Sequence, residues 1–199
     1  YLLREGLSGS LQGGQLETVG KIEAAGRVLM SLIDNLLELS SLRMSSTPVA
    51  RELCDAVALA RAAVASVGEP PEGVTLSIEA VTMQIPVRTD AAIVLRILQQ
   101  LLSNALKFTA QGAVRVRVEI ETEANGGQAG AGPHILWKVQ DTGIGIAAAD
   151  QQRIFDEFLQ VDGSATRRFG GTGVGLALSQ GLASRLGGEI RLESVPGQG

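Results

Sequence analysis

The stretch Leu101-Leu102-Ser103-Asn104-Ala105-Leu106-Lys107-Phe108-Thr109 poses the problem that the rest of the chain answers. It closes a long helix that the sequence predicts from Ala91 to Phe108, with Asp90 placed to cap its first turn. Asn104 stands among apolar neighbours, where an amide is costly unless it is hydrogen-bonded or ligates a cation. Lys107 follows three residues later, on nearly the same face, with the reach to touch a phosphate. One asparagine suits a magnesium ion that takes its other ligands from nucleotide phosphates and water. A helix-packing amide beside a solvated lysine would leave the same local pattern, so the neighbouring segments decide.

Downstream, Val114 to Ile120 alternates apolar and charged residues, which predicts a strand with one buried face, and Ile135 to Val139 predicts the returning strand. Two glycine clusters follow. Asp141-Thr142-Gly143-Ile144-Gly145-Ile146 comes just after that strand. A carboxylate there can accept a hydrogen bond from an exocyclic amine, and the glycines let a flat base approach the backbone. An Asp-Gly turn at a strand end would use the same residues. Gly170-Gly171-Thr172-Gly173-Val174-Gly175-Leu176 leads directly into a helix predicted from Gly173 to Leu186. Its backbone N–H groups lie at the positive end of the helix dipole, where phosphate binds. The spacing is not a dinucleotide-binding fingerprint, and no strand precedes it. A Walker loop is absent too, because Gly14 to Gly20-Lys21 is one residue too long and Ile22 stands where a hydroxyl should be. Between the clusters, Ala148 to Phe158 reads as a short helix and Leu159 to Gly171 as an irregular loop; Glu189 to Ser194 reads as a closing strand.

Upstream, Gln15 to about Met44 is strongly helical. Ile22, Leu29 and Leu36 recur every seven residues, with Ala25, Leu32 and Leu39 three positions after each, a seam fit for a hairpin or bundle. Ser45-Ser46-Thr47-Pro48 ends it. An Ala-rich helix is expected from about Val49 to Val67, then strands at Val74 to Ile78 and Met83 to Val87. The fold class is therefore α+β, a sandwich with antiparallel strand pairs.

Composition narrows the function. The 199 residues are 45% hydrophobic and 19% charged, ordinary for a globular protein and too apolar for disorder. A formal net charge of −4 and 3% aromatic residues offer neither a basic field nor stacking platforms, so no nucleic acid is expected as partner. No apolar run reaches ~18 residues, so no membrane contact is expected from this chain. One cysteine, Cys54, excludes an internal disulfide framework and a cysteine-based zinc site. The single histidine, His134, is expected on a surface loop.

In their order, an asparagine-bearing helix, Asp-x-Gly-x-Gly, paired phenylalanines and Gly-x-Gly at a helix start resemble the ATP-binding domain of sensor histidine kinases, of the Bergerat-fold ATPase superfamily. The N box is similar to Leu101 to Thr109, the first glycine box to Asp141 to Ile146, and the F box to Ile154-Phe155-Asp156-Glu157-Phe158. Gln160 to Ser179 resembles the lid and second glycine box. The fold so implied is a Bergerat-type α/β sandwich, a mostly antiparallel mixed sheet with helices on one face, preceded by a long bundle helix. Residues 1–47 would form part of the dimerisation and phosphotransfer hairpin, and residues 48–199 the catalytic domain, short of its final strand.

The resemblance also implies roles. ATP and Mg2+ would be the ligands, with Asn104 holding the metal, Lys107 and Thr172 contacting phosphates, and Arg167 or Arg168 stabilising charge on the transferred γ-phosphoryl group. Asp141 would read the adenine amine, with Gly143 and Gly145 shaping the base pocket. Gly171, Gly173, Val174, Gly175 and Leu176 would form the phosphate-binding helix start, while Phe155 and Phe158 anchor the mobile lid. The implied partners are a second copy, through the helical hairpin, and a response-regulator receiver domain. The implied location is the cytoplasm, as a free protein or as the cytoplasmic part of a membrane sensor. The phosphoaccepting histidine would precede residue 1, so this chain by itself would not autophosphorylate. Gln100 departs from the pattern, standing where these kinases carry Asn and hydrolytic relatives a Glu; glutamine is no general base. That departure keeps open a different reading, a catalytically weak, nucleotide-gated dimeric scaffold.

Overall fold

The computed structural model describes residues 13–44, 48–121, 133–159 and 173–199. The chain divides into two compact units, Tyr1–Met44 and Ser45–Gly199. In the first, α1 (Gly13–Met44) is one continuous helix of 32 residues, as its heptad pattern predicts. Ile22 and Leu29 of the predicted seam are 65% and 59% exposed, as is Leu37 beside it. Further along the seam Leu32 and Leu36 are half-buried and Leu39 is buried, so the apolar side chains turned to solvent are those of its N-terminal part and of Leu37.

The second unit runs β1 (Glu52–Asp55), α2 (Ala56–Ser66), β2 (Val74–Ala80), β3 (Pro86–Thr89), α3 (Ala91–Phe108), β4 (Gly112–Glu121), β5 (His134–Asp141), α4 (Ala148–Gln151) and α5 (Gly175–Leu186). The main sheet has the order β2-β4-β5, with β2 parallel and β5 antiparallel to the central β4. β1 and β3 form a separate antiparallel pair. Alternation along β4 sends Val114, Val116 and Val118 into the core, all fully buried, and Arg115, Arg117 and Glu119 to the other face. Onto those valines α2 brings Val57, Ala60 and Ala63, and α3 brings Val94, Leu98 and Leu102. From β5, Trp137 packs against the same core and donates its indole N–H to the Ala56 carbonyl at 3.1 Å. The α+β class, with helices against one face of a mixed sheet, agrees with the sequence reading.

Several elements differ from the prediction. The expected helix from Val49 begins only at Ala56, because Glu52–Asp55 is captured in a ladder with β3 that pairs Leu53 with Arg88. The second β strand expected at Met83 begins at Pro86, which cannot donate and so opens the strand. The helix expected over Ala148–Phe158 stops after Gln151 in tight turns, and Phe158 takes a positive φ of 64°. Glu189–Ser194 alternates like a strand but joins no ladder among the described residues. His134 is exposed as expected, yet it opens β5 instead of lying in a loop.

Asp55 ends β1 and caps α2. Its Oδ1 accepts from the Val57 and Ile85 N–H groups, each at 3.0 Å. The Ile85 hydrogen bond is the main reason its carboxyl lies below the ordinary carboxylate value. A depressed pKa contributes stability that is complete above the unfolded value and lost as pH falls through the folded one. Asp55→Asn should therefore lower stability at pH 7, with the gap to wild type narrowing as pH drops below the carboxylate range. Urea unfolding from pH 7 towards pH 3 measures it; a gap that does not change with pH would assign no part to the charge.

Candidate functional site

Committing Val94, Leu98, Leu102, Ala105 and Leu106 to the core fixes the rotation of α3. At about 100° per residue, Gln100, Ser103, Asn104 and Lys107 then fall on the opposite side of the helix. Two contacts frame this polar stripe. At the Gln100 level, α3 meets the start of α5: a Cβ on Gly175 would collide with the Gln100 amide. At the far end, the Phe108 carbonyl faces the first glycine loop and accepts from the Ile144 N–H at 3.4 Å. Asn104 lies one turn from each.

Asn104 is half-buried, and nothing among the described residues hydrogen-bonds its side chain. Lys107 is partly buried as well; its ammonium lies 4.7 Å from the centre of the Phe108 ring. Burial pushes its pKa down, and no carboxylate among the described residues pairs with it. An amide acceptor and a partly desolvated cation, one turn apart, suit an anion with its counter-cation. Thr109, just beyond, is 1% exposed and its hydroxyl has no hydrogen-bond partner among the described residues. An open cleft of about 590 Å³ adjoins the stripe and is lined by Gln100, Ser103 and Lys107 together with the turn after α2. It does not include Asp141 or the glycine loops, so it borders the site and does not define it.

Asp141 is the last residue of β5, opposite Val114 of β4. Its Oδ1 accepts from the Gly143 N–H at 2.8 Å, closing a tight turn. Oδ2 has no hydrogen bond among the described residues. Thr142 pins the turn to the sheet: its N–H donates to the Ala113 carbonyl, and its hydroxyl accepts from the Ala113 N–H. Sequence reasoning gave Thr142 no role, although a hydroxyl directly after a strand-end Asp is the signal that would have found it.

The second glycine cluster falls partly within the described residues. Gly173 holds a positive φ of 67° and its carbonyl accepts from the Phe158 N–H at 2.9 Å. Val174 is fully buried and occupies the cap position of α5, where no side chain caps the helix, and Gly175 and Leu176 begin its first turn. Phe155 is half-buried and Phe158 is 59% exposed. Arg167, Arg168, Gly171 and Thr172 lie outside the described residues. Among the described residues no group of three or more His, Cys, Asp or Glu could hold a metal ion, and no helix is long and apolar enough to cross a membrane.

Comparison with known proteins shows the family to which the chain belongs. Residues 89–199 match the family described as histidine kinase-, DNA gyrase B- and HSP90-like ATPase. That match covers more than half of the chain, and the chain belongs to this family. It is 34% identical over 199 aligned residues to the circadian input-output histidine kinase CikA of Synechococcus elongatus, across 96% of this chain and 25% of CikA. It is 31% identical to the sensor protein GacS of Pseudomonas syringae, across 93% of this chain and 20% of GacS. The chain thus spans a quarter or less of these relatives. The fold is shared with full-length ShkA in complex with AMPPNP (TM-score 0.75, 24% identity, 98% of this chain and 39% of ShkA). It is shared as well with the Acinetobacter baumannii histidine kinase AdeS (TM-score 0.68, 19% identity, 94% of this chain and 81% of AdeS).

Gly143 gives the site's sharpest structural test. A Cβ there would come 2.5 Å from the Phe108 carbonyl oxygen and 2.8 Å from Asp141 Oδ1. Gly143→Ala should push the carboxylate from its turn and part the loop from α3. The expected result is loss of nucleotide binding in a protein that keeps most of its helix content, read by calorimetric titration and circular dichroism. Unchanged binding would show that the turn does not set the position of Asp141.

Proposed function

We propose that this member of the ATPase family binds ATP with magnesium and donates the γ-phosphoryl group to a histidine on a dimerised helical hairpin, for relay to a response-regulator aspartate. One observation carries the reading: Asp141, fixed through one carboxylate oxygen with no hydrogen bond to the other among the described residues, sits on the loop that meets the end of α3 at the Phe108 carbonyl. In this reading Asp141 accepts from the adenine amine, and Gly143 and Gly145 shape the base pocket. Lys107 and the first-turn N–H groups of α5 take the phosphates, together with Thr172 and Arg167 or Arg168. Asn104, half-buried and without a hydrogen-bond partner among the described residues, fits a magnesium ligand; the ion would supply positive charge against the phosphates.

In the transfer step an imidazole nitrogen attacks the γ-phosphorus, the bond to the bridging oxygen breaks, and ADP leaves. The imidazole is itself nucleophilic, so the step needs no water-activating carboxylate at position 100. Residues 1–47 then belong to the hairpin and residues 48–199 to the catalytic domain, and the exposed apolar side chains of α1, Ile22, Leu29 and Leu37, support pairing with a second copy. The cytoplasm is the compartment that fits such a relay. Gln100, standing where these kinases carry Asn, is the support for one second reading, a nucleotide-gated dimeric scaffold that binds ATP and transfers nothing.

Two measurements test these readings. Asp141→Asn should weaken ATP binding roughly tenfold or more, the scale of one hydrogen bond to a charged group. Asn104→Ala should reduce affinity in magnesium to that measured with chelator present. Unaltered ATP titrations for both variants would end the site assignment. With labelled ATP and a separate hairpin carrying a histidine, phosphohistidine formation supports the kinase; ATP binding without any transfer supports the scaffold.

A further inference from the structure

The loop that carries Asp141 is held from behind by two side chains with no place in the reaction. Gln151, at the end of α4, donates through Nε2 to two carbonyls at once, Ile146 and Ser194, both at 2.9 Å. Ser194 completes the bridge: its hydroxyl accepts from the Ile146 N–H at 2.8 Å and donates to the Gly199 carbonyl at 3.0 Å. Beside it the Gly197 N–H donates to the Ile144 carbonyl at 2.7 Å, and the turn closes through Val195 N–H to Gly199 at 2.9 Å. The two segments lie too close for side chains between them. A Cβ on Gly145 would strike the Val195 carbonyl, and one on Gly199 would strike that of Asp141.

From this arrangement we infer that Gln151 and Ser194 are positioning residues for nucleobase recognition, clamping the Asp141–Ile146 loop onto the 195–199 turn. The inference rests on the reading that Asp141 meets the base. A carboxylate accepts from the exocyclic amine of adenine, whereas guanine places a carbonyl oxygen there and is repelled. That discrimination depends on a carboxylate that cannot swing away, because a site built to hydrogen-bond one group rejects another only while its geometry is held. Thr142 fixes the start of the loop to β4. The Gln151–Ser194 bridge fixes its end, at Ile146. Phosphate contacts made from α3 do not pass through the clamp.

The test compares binding of ATP, GTP and inorganic tripolyphosphate, each with magnesium, by the wild-type chain and by Gln151→Ala, Ser194→Ala and Ser194→Thr. Gln151→Ala and Ser194→Ala should each weaken ATP roughly three- to tenfold, the scale of one or two lost hydrogen bonds. The ATP-to-GTP preference should fall with it, tripolyphosphate binding should hold, and Ser194→Thr should restore both. Parallel losses of ATP and tripolyphosphate, or folded variants with wild-type ATP affinity and preference, would overturn the inference. Gln151→Glu guards against simple unfolding: its carboxylate would repel both carbonyls at neutral pH and regain a donor when protonated. The ATP affinity of that variant relative to wild type at the same pH, a ratio that cancels the titration of Asp141 itself, should therefore recover in part as pH falls through the carboxylate range, and a flat ratio counts against the clamp. Asp141→Asn separates the premise from the inference. If it leaves the ATP-to-GTP preference intact, the base reading fails and takes the clamp with it. If it removes the preference while the clamp variants keep it, the clamp alone fails.

Discussion

The burial of α3 on β4 is the constraint from which the site follows. Leu98 and Leu102 of the helix and Val114, Val116 and Val118 of the strand are all but inaccessible to water. Each such side chain contributes roughly 1.5–3 kcal/mol relative to exposure, an upper range because unfolded chains are partly collapsed. Together they outweigh the cost of holding an amide and an ammonium group half out of water on the far side. A helix cannot rotate to relieve Asn104 or Lys107 without drawing leucines from the sheet. The polar stripe is thus imposed by the apolar one, and its desolvation is a standing bias towards a charged ligand.

The same periodicity explains which parts of the fold were legible. Helix α3 was readable to the residue because its apolar spacing, its N-cap and its C-terminal boundary agree, with Asp90 accepting from the Ile93 N–H at 3.3 Å. β4 was readable because alternation at three consecutive valines has one interpretation. β1 was not. Its four residues adjoin an Ala-rich helix, and what makes them a strand is a partner more than thirty residues away, invisible to local propensity. Glu189–Ser194 shows the converse: alternation records a wish for two faces, but a strand also needs a neighbour offering hydrogen bonds, and none of the described strands does so.

Legibility of the site divides along another line. Asp141, Asn104, Lys107 and the glycine clusters stand out in the sequence as candidates because their chemistry is unusual for their surroundings. The supporting groups were not, because they act on backbone carbonyls and N–H groups, which carry no signature in sequence. Gln151 reaches Ser194, 43 positions along, through a main-chain oxygen, and nothing in either residue's type announces the pair. Gln100 was legible only as a departure from a family pattern; its contact with the α5 start is a property of packing.

The glycines show why ligand access and packing are not competing explanations. Gly143 and Gly145 were read as room for a flat base, yet the atoms that a side chain would strike are protein carbonyls, Phe108 and Val195 respectively. The missing side chains let the loop lie directly on α3 at one edge and on the 195–199 turn at the other. A loop gripped at both edges by backbone has little freedom to relax when a ligand arrives. The ordering cost that binding would otherwise carry has then been met during folding. If Asp141 meets the base as proposed, a carboxylate on such a loop would discriminate between bases because its position is set before either arrives.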